Sequence, residues 1–99
     1  MLYEQKYREN VQRGIAYLND NVPGWFNRID LDILDLNSCS KCIKGQLDLP
    51  DSTFNTSLGF YIGWHQEDYP MDESEIDENV FLLQNLWRTE IENRLLTKV

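Results

Sequence analysis

No apolar run approaches the roughly 18 residues that a membrane-spanning helix needs, so an integral membrane helix is not expected. The opening residues, Met1-Leu-Tyr-Glu-Gln-Lys, lack the apolar centre of a secretory leader, and the expected location is the cytoplasm. Two cysteines in 99 residues are too few for a disulfide scaffold. Five glycines and three prolines fall far short of a collagen-like or low-complexity chain. Bases are scarce as well: nine Lys and Arg stand against 17 Asp and Glu, a net charge of −8. Binding to nucleic acid relies on Lys and Arg displacing counterions from phosphates, and anionic membranes attract the same residues. Direct nucleic-acid and membrane binding are therefore not expected.

What remains has the make-up of an ordinary globular chain, with 41% hydrophobic and 26% charged residues. At this length the default is one domain, residues 1–99. The acidity is lopsided. Residues 1–50 hold six bases and seven acids, whereas residues 51–99 hold three bases and ten acids. Seven of those acids, Glu67, Asp68, Asp72, Glu73, Glu75, Asp77 and Glu78, follow one another with no base among them. Acids collect at helix N-termini for electrostatic reasons and keep a surface solvated, so the run has a plain structural explanation. It would equally speed association with a basic partner, and these seven residues are the candidate interaction set.

Periodicity places a helix at each end. Tyr3, Tyr7, Val11, Ile15 and Leu18 share one face of a helix over residues 2–19. Glu4–Arg8 and Glu9–Arg13 are i,i+4 pairs in the favourable order. Gly14 costs such a helix about 1 kcal/mol relative to alanine, which is tolerable if another backbone must approach there. Pro23 and Gly24 end the helix, and Pro23-Gly-Trp-Phe-Asn-Arg-Ile reads as a turn followed by a short helical segment, with Trp25 and Phe26 as large apolar groups beside the turn. Residues 30–36 could form a short strand or one helical turn, and a short helical or irregular segment is the preferred reading. Residues 37–47 read as a further helix capped by Ser38 or Ser40, with Cys39, Cys42, Ile43, Gln46 and Leu47 on one face. Residues 48–57 are loop-like, and residues 58–64 suit an ordered loop that packs Phe60, Ile62 and Trp64.

The clearest pattern runs from Ser74 to Leu96. Ile76, Val80, Leu83, Trp87, Ile91 and Leu95 form a stripe that Phe81, Leu82 and Leu86 widen, as expected of a core helix about 34 Å long. Asp72 or Ser74 is the expected cap. The fold expected is mostly α, a small single-domain helical bundle with two longer terminal helices and irregular or short helical segments between them.

Few residues suggest chemistry. Cys39-Ser-Lys-Cys42 could give two of four zinc ligands, a redox pair or two packed thiols. With His65 the only other nitrogen or sulfur ligand, one chain cannot complete a four-ligand site, although a dimer could join two pairs. Packed thiols in a reducing compartment are the preferred reading, and no cofactor or metal is expected. His65-Gln-Glu67 meets only part of the zinc-deaminase pattern, since the CxxC precedes it and lacks the leading proline. Asp30, Asp32 and Asp35 alternate with leucine and isoleucine and lack the glycine of a calcium loop, so capping and solvation account for them. No phosphate loop, nucleophile elbow or HExxH is present. An exposed pair such as Tyr61 and Trp64 could anchor a partner.

Three runs also carry a likeness: Gly14-Ile-Ala-Tyr-Leu-Asn-Asp, Val22-Pro-Gly-Trp-Phe-Asn-Arg-Ile-Asp-Leu-Asp-Ile-Leu-Asp-Leu, and Cys42-Ile-Lys-Gly-Gln-Leu. With Gly59-Phe60 and Leu86-Trp87-Arg88 in the same order, the chain resembles a family of small proteins of phages and prophages of Gram-positive bacteria and actinobacteria, with no assigned role. Cys42 fits that pattern better than Cys39. The resemblance implies a genomic setting and carries over no functional residue. Three functions are expected, in order. The first is a non-enzymatic accessory protein that binds a host or phage protein through a basic or apolar groove. The second is an acidic nucleic-acid mimic that inhibits a host DNA-binding or defence enzyme. The third is a zinc or redox protein built on the CxxC.

Overall fold

A computed structural model describes residues 4–36, 38, 40–49, 58–60 and 73–97, with the backbone alone at 73 and 97. Within them the chain forms α1 (Glu4–Asn21), a 3₁₀ turn (Trp25–Asn27), α2 (Ile43–Leu47) and α3 (Glu73–Thr97). The described residues contain no strand, and none of their helices is long and apolar enough to cross a membrane. The mostly helical bundle with two long terminal helices is the observed architecture.

The apolar spacing of α1 becomes its buried face: Tyr7, Val11, Ile15 and Leu18 are buried, joined by Asn10 and Gly14. The helix stops where Pro23 and Gly24 require it, with Gly24 at φ 77°. Val22 N–H still donates to Leu18 O at 2.8 Å, and Trp25 N–H donates to Val22 O at 3.0 Å, so the exit is a tight turn. That turn drives Trp25 fully under the surface, where its indole N–H donates to Asn19 Oδ1 at 3.0 Å.

The core is built around Trp87 of α3, which has no exposed surface. Its ring stacks on Phe60 at 5.6 Å and meets Trp25 edge-on at 5.9 Å. Its indole N–H donates to Gly59 O at 2.7 Å. Two glycines make this packing possible. A side chain at Gly14 would overlap Leu58 O and stand 2.9 Å from the Trp87 ring. Gly59 sits at φ +75°, with its Cα against α1, where a Cβ would lie 3.0 Å from Val11 N. The close backbone approach expected at Gly14 is thus made by residues 58–59. Residues 58–60 are an ordered non-strand segment, as expected, with Phe60 buried; Ile62 and Trp64 lie outside the described residues.

Polar groups inside the bundle are matched. Tyr7 O–H donates to Asn79 Oδ1 at 3.0 Å, and Asn79 Nδ2 donates to Glu75 O at 2.8 Å. Arg13 donates to the buried Asn10 Oδ1. No buried side-chain nitrogen or oxygen among the described residues lacks a partner.

The segment before α2 departs from expectation. The helix begins at Ile43, and neither Ser38 nor Ser40 caps it. Cys42 is the cap: its backbone is extended and its Sγ accepts from Gly45 N–H at 3.3 Å. Ser38 instead anchors the chain ahead of the helix, with Cys42 N–H donating to Ser38 O at 3.1 Å and Lys41 N–H to Ser38 Oγ at 3.3 Å. Gln46 ties the irregular segment 30–36 to this corner, accepting from Asp30 N–H at 2.7 Å and donating to Lys41 O at 2.8 Å. At the start of α3, Ser74 lies inside the helix and so is not its cap; Asp72 lies outside the described residues.

Candidate functional site

Among the described residues the chemistry-bearing candidates do not assemble. Cys42 is buried and its sulfur caps a helix, which is a packing role. Cys39 and His65 lie outside the described residues. Among the described residues no group of three or more His, Cys, Asp or Glu could hold a metal ion. Asp30, Asp32 and Asp35 are exposed. Asp30 does not cap a helix: its Oδ1 accepts from Asp32 N–H at 2.9 Å, an Asx turn within the loop. A shallow pocket of about 120 Å³ between α1 and α3, lined by Arg8, Val11, Gln12, Leu86, Thr89 and Glu90, is smaller than the roughly 300–1,000 Å³ typical of cofactor sites.

Of the seven interaction candidates, Glu67, Asp68 and Asp72 lie outside the described residues, and Glu73 is placed by its backbone alone. Glu75 is half-buried, whereas Asp77 and Glu78 are exposed in the second turn of α3. One turn further on is Phe81, at 65% exposure. This corrects the sequence reading that counted Phe81 with the core stripe. Leu95, counted as its last member, is likewise 40% exposed, beside Leu96 at 80%.

The reason lies in what surrounds α3. Its Val80–Leu83–Trp87–Ile91 line is buried. On one flank α1 covers it, through the Tyr7–Asn79 bond and a bond from Gln12 Nε2 to Glu90 Oε1 at 3.1 Å. On the other flank runs the 30–36 segment. Leu36 N–H donates to Gln84 Oε1 at 3.0 Å, and Arg88 donates to Leu31 O at 2.9 Å. From the edge of that segment round to the side opposite the buried line the helix stays open, bearing Asp77, Glu78, Phe81 and Glu92, with Leu95 and Leu96 at its far end. Ile33, 46% exposed, rides on the segment tied to α3 at Gln84 and Arg88.

The outer face is thus a mixed acidic and apolar strip on a rigid helix, with no nucleophile–base pair among these residues. Phe81 is the only exposed aromatic among the described residues. Sequence reasoning missed it because a phenylalanine beside a core stripe reads as core. Comparison of the chain with models of known families, with curated proteins and with solved structures finds no match, so the strip is read on its own chemistry.

Proposed function

We propose that the protein is a small acidic accessory protein, of the kind its resemblance places in phages and prophages, that acts without catalysis by binding another protein. The observation that carries this reading is the open face of α3, where Phe81 stands exposed beside Asp77 and Glu78. Large aromatic groups left in water on a rigid helix are typical anchors of protein interfaces, and flanking charges select the partner. The partner is a host or phage protein with a basic or apolar groove. A nucleic-acid mimic would need acids spread over a whole face. The described part of this face instead interleaves its acids with Phe81, Leu95 and Leu96, which favours a protein contact.

The test is affinity capture from bacterial lysate with the full chain and with a Phe81→Ser, Asp77→Asn, Glu78→Gln variant of unchanged melting temperature. Proteins retained by the parent and lost with the variant support the reading. Identical retention by both chains overturns it.

A further inference from the structure

The open turn of α3 also suggests what it receives. Asp77 and Glu78 precede Phe81 by four and three residues, so each is a helix-surface neighbour of the ring, one on either side of it, with its Cβ about 5–6 Å from that of Phe81. All three are exposed. A ring face beside a carboxylate is a matched receptor for a guanidinium, which is planar, stacks on aromatic rings and pairs with carboxylates through two parallel hydrogen bonds. The molecule already contains one such arrangement. Arg94 donates to Glu90 Oε2 at 2.8 Å, and its guanidinium carbon lies 5.8 Å from the centroid of the Trp25 ring. The internal arrangement has a resident arginine; the turn at 77–81 presents acids and a ring to the outside.

We infer that Asp77, Glu78 and Phe81 form a docking turn for an arginine on the partner protein, with the guanidinium lying over Phe81 and held by the two carboxylates. The inference rests on the reading of α3's open face as the binding surface and adds the chemistry of the occupant. A second copy of this chain is disfavoured as that occupant, because each copy carries a net charge of −8. Arg88, two turns along the same helix, does not fill the turn, since it donates to Leu31 O. A lysine would satisfy the charge but lacks the plane that stacks on the ring, so arginine is selected over lysine.

The experiment titrates the isotope-labelled full chain with an amphipathic Leu/Arg peptide and its Leu/Lys twin of equal length and charge, following amide resonances. The expected result is displacement of resonances centred on residues 77–85, with the arginine peptide binding about tenfold tighter than its twin. Phe81→Leu removes the preference while charge-driven binding persists, and Asp77→Asn with Glu78→Gln weakens both peptides. Equal binding of the twins overturns the inference, as do displacements centred away from α3's open face. Resonances at 77–85 that move on dilution without peptide overturn it too, by showing that a second copy covers the face. The two readings fail separately: equal binding of the twins, with lysate capture still lost in the Phe81 variant, sinks the arginine assignment alone.

Discussion

Two sides of α3 carry side chains of similar character and meet opposite fates. On the inner side Trp87 and Leu83 are wholly buried, sealed by α1, the 3₁₀ turn and the 58–60 segment. On the outer side Phe81 and Leu96 stand largely in water. Hydrophobicity alone does not separate these groups. What separates them is the presence of a neighbour, and on the inner side neighbours come close only because Gly14 and Gly59 present bare backbone. α3 thus has one face committed to stability and one left for other work.

The inner side is tested most severely by Trp87→Ala. It removes a buried indole, two ring contacts and the bond to Gly59 O. The expected loss is about 3–5 kcal/mol in urea melts, a large share of the roughly 5–15 kcal/mol of a typical domain. A loss below about 1 kcal/mol would mean that α3 does not face the core as described. Next comes Gly14→Ala. An exposed helical glycine would gain up to about 1 kcal/mol from this change. Here the new methyl overlaps Leu58 O, and a net loss of about 1–3 kcal/mol is expected. Stabilisation instead would show that residues 58–60 do not lie on α1.

Smaller effects sharpen the picture away from the core. Cys42→Val deletes the sulfur that accepts from Gly45 N–H and should cost about 1 kcal/mol, whereas Cys42→Ser keeps a cap and should melt within about 0.5 kcal/mol of the parent. If serine proved as damaging as valine, the thiol would have a role other than capping. The smallest expected change is Phe81→Ser, within about 0.5 kcal/mol of the parent by thermal or urea melt. Destabilisation above about 2 kcal/mol would place Phe81 in the core and remove the candidate surface.

Much of this was legible in the residues. The four-and-three spacing of Tyr7, Val11, Ile15 and Leu18 and of Val80, Leu83, Trp87 and Ile91 marks both long helices and their buried lines, because a 3.6-residue turn leaves little freedom in which side shows an apolar stripe. Pro23 and Gly24 mark the end of α1, since neither suits a helix interior. The α2 cap was not legible. Ser38 and Ser40 have the better capping chemistry, but the bonds from Lys41 N–H and Cys42 N–H to Ser38 leave the start of the helix at Ile43 and the cap to a cysteine.

The acidic balance, the paucity of ligand-forming residues and the two long helices were set by the sequence alone, because composition and periodicity are local properties of a chain. Which apolar residues of α3 stay in water was decided only by the tertiary structure. Phe81 and Leu86 lie at nearly equal angles, about 110°, on opposite sides of the Val80–Leu83–Trp87–Ile91 line. No periodicity could rank one above the other. α1 packs on the side of Leu86; on the side of Phe81 the 30–36 segment reaches α3 at Gln84 and Arg88 and leaves Phe81 itself exposed, because burial requires a partner at that level of the helix and the partner's position is a property of the whole fold.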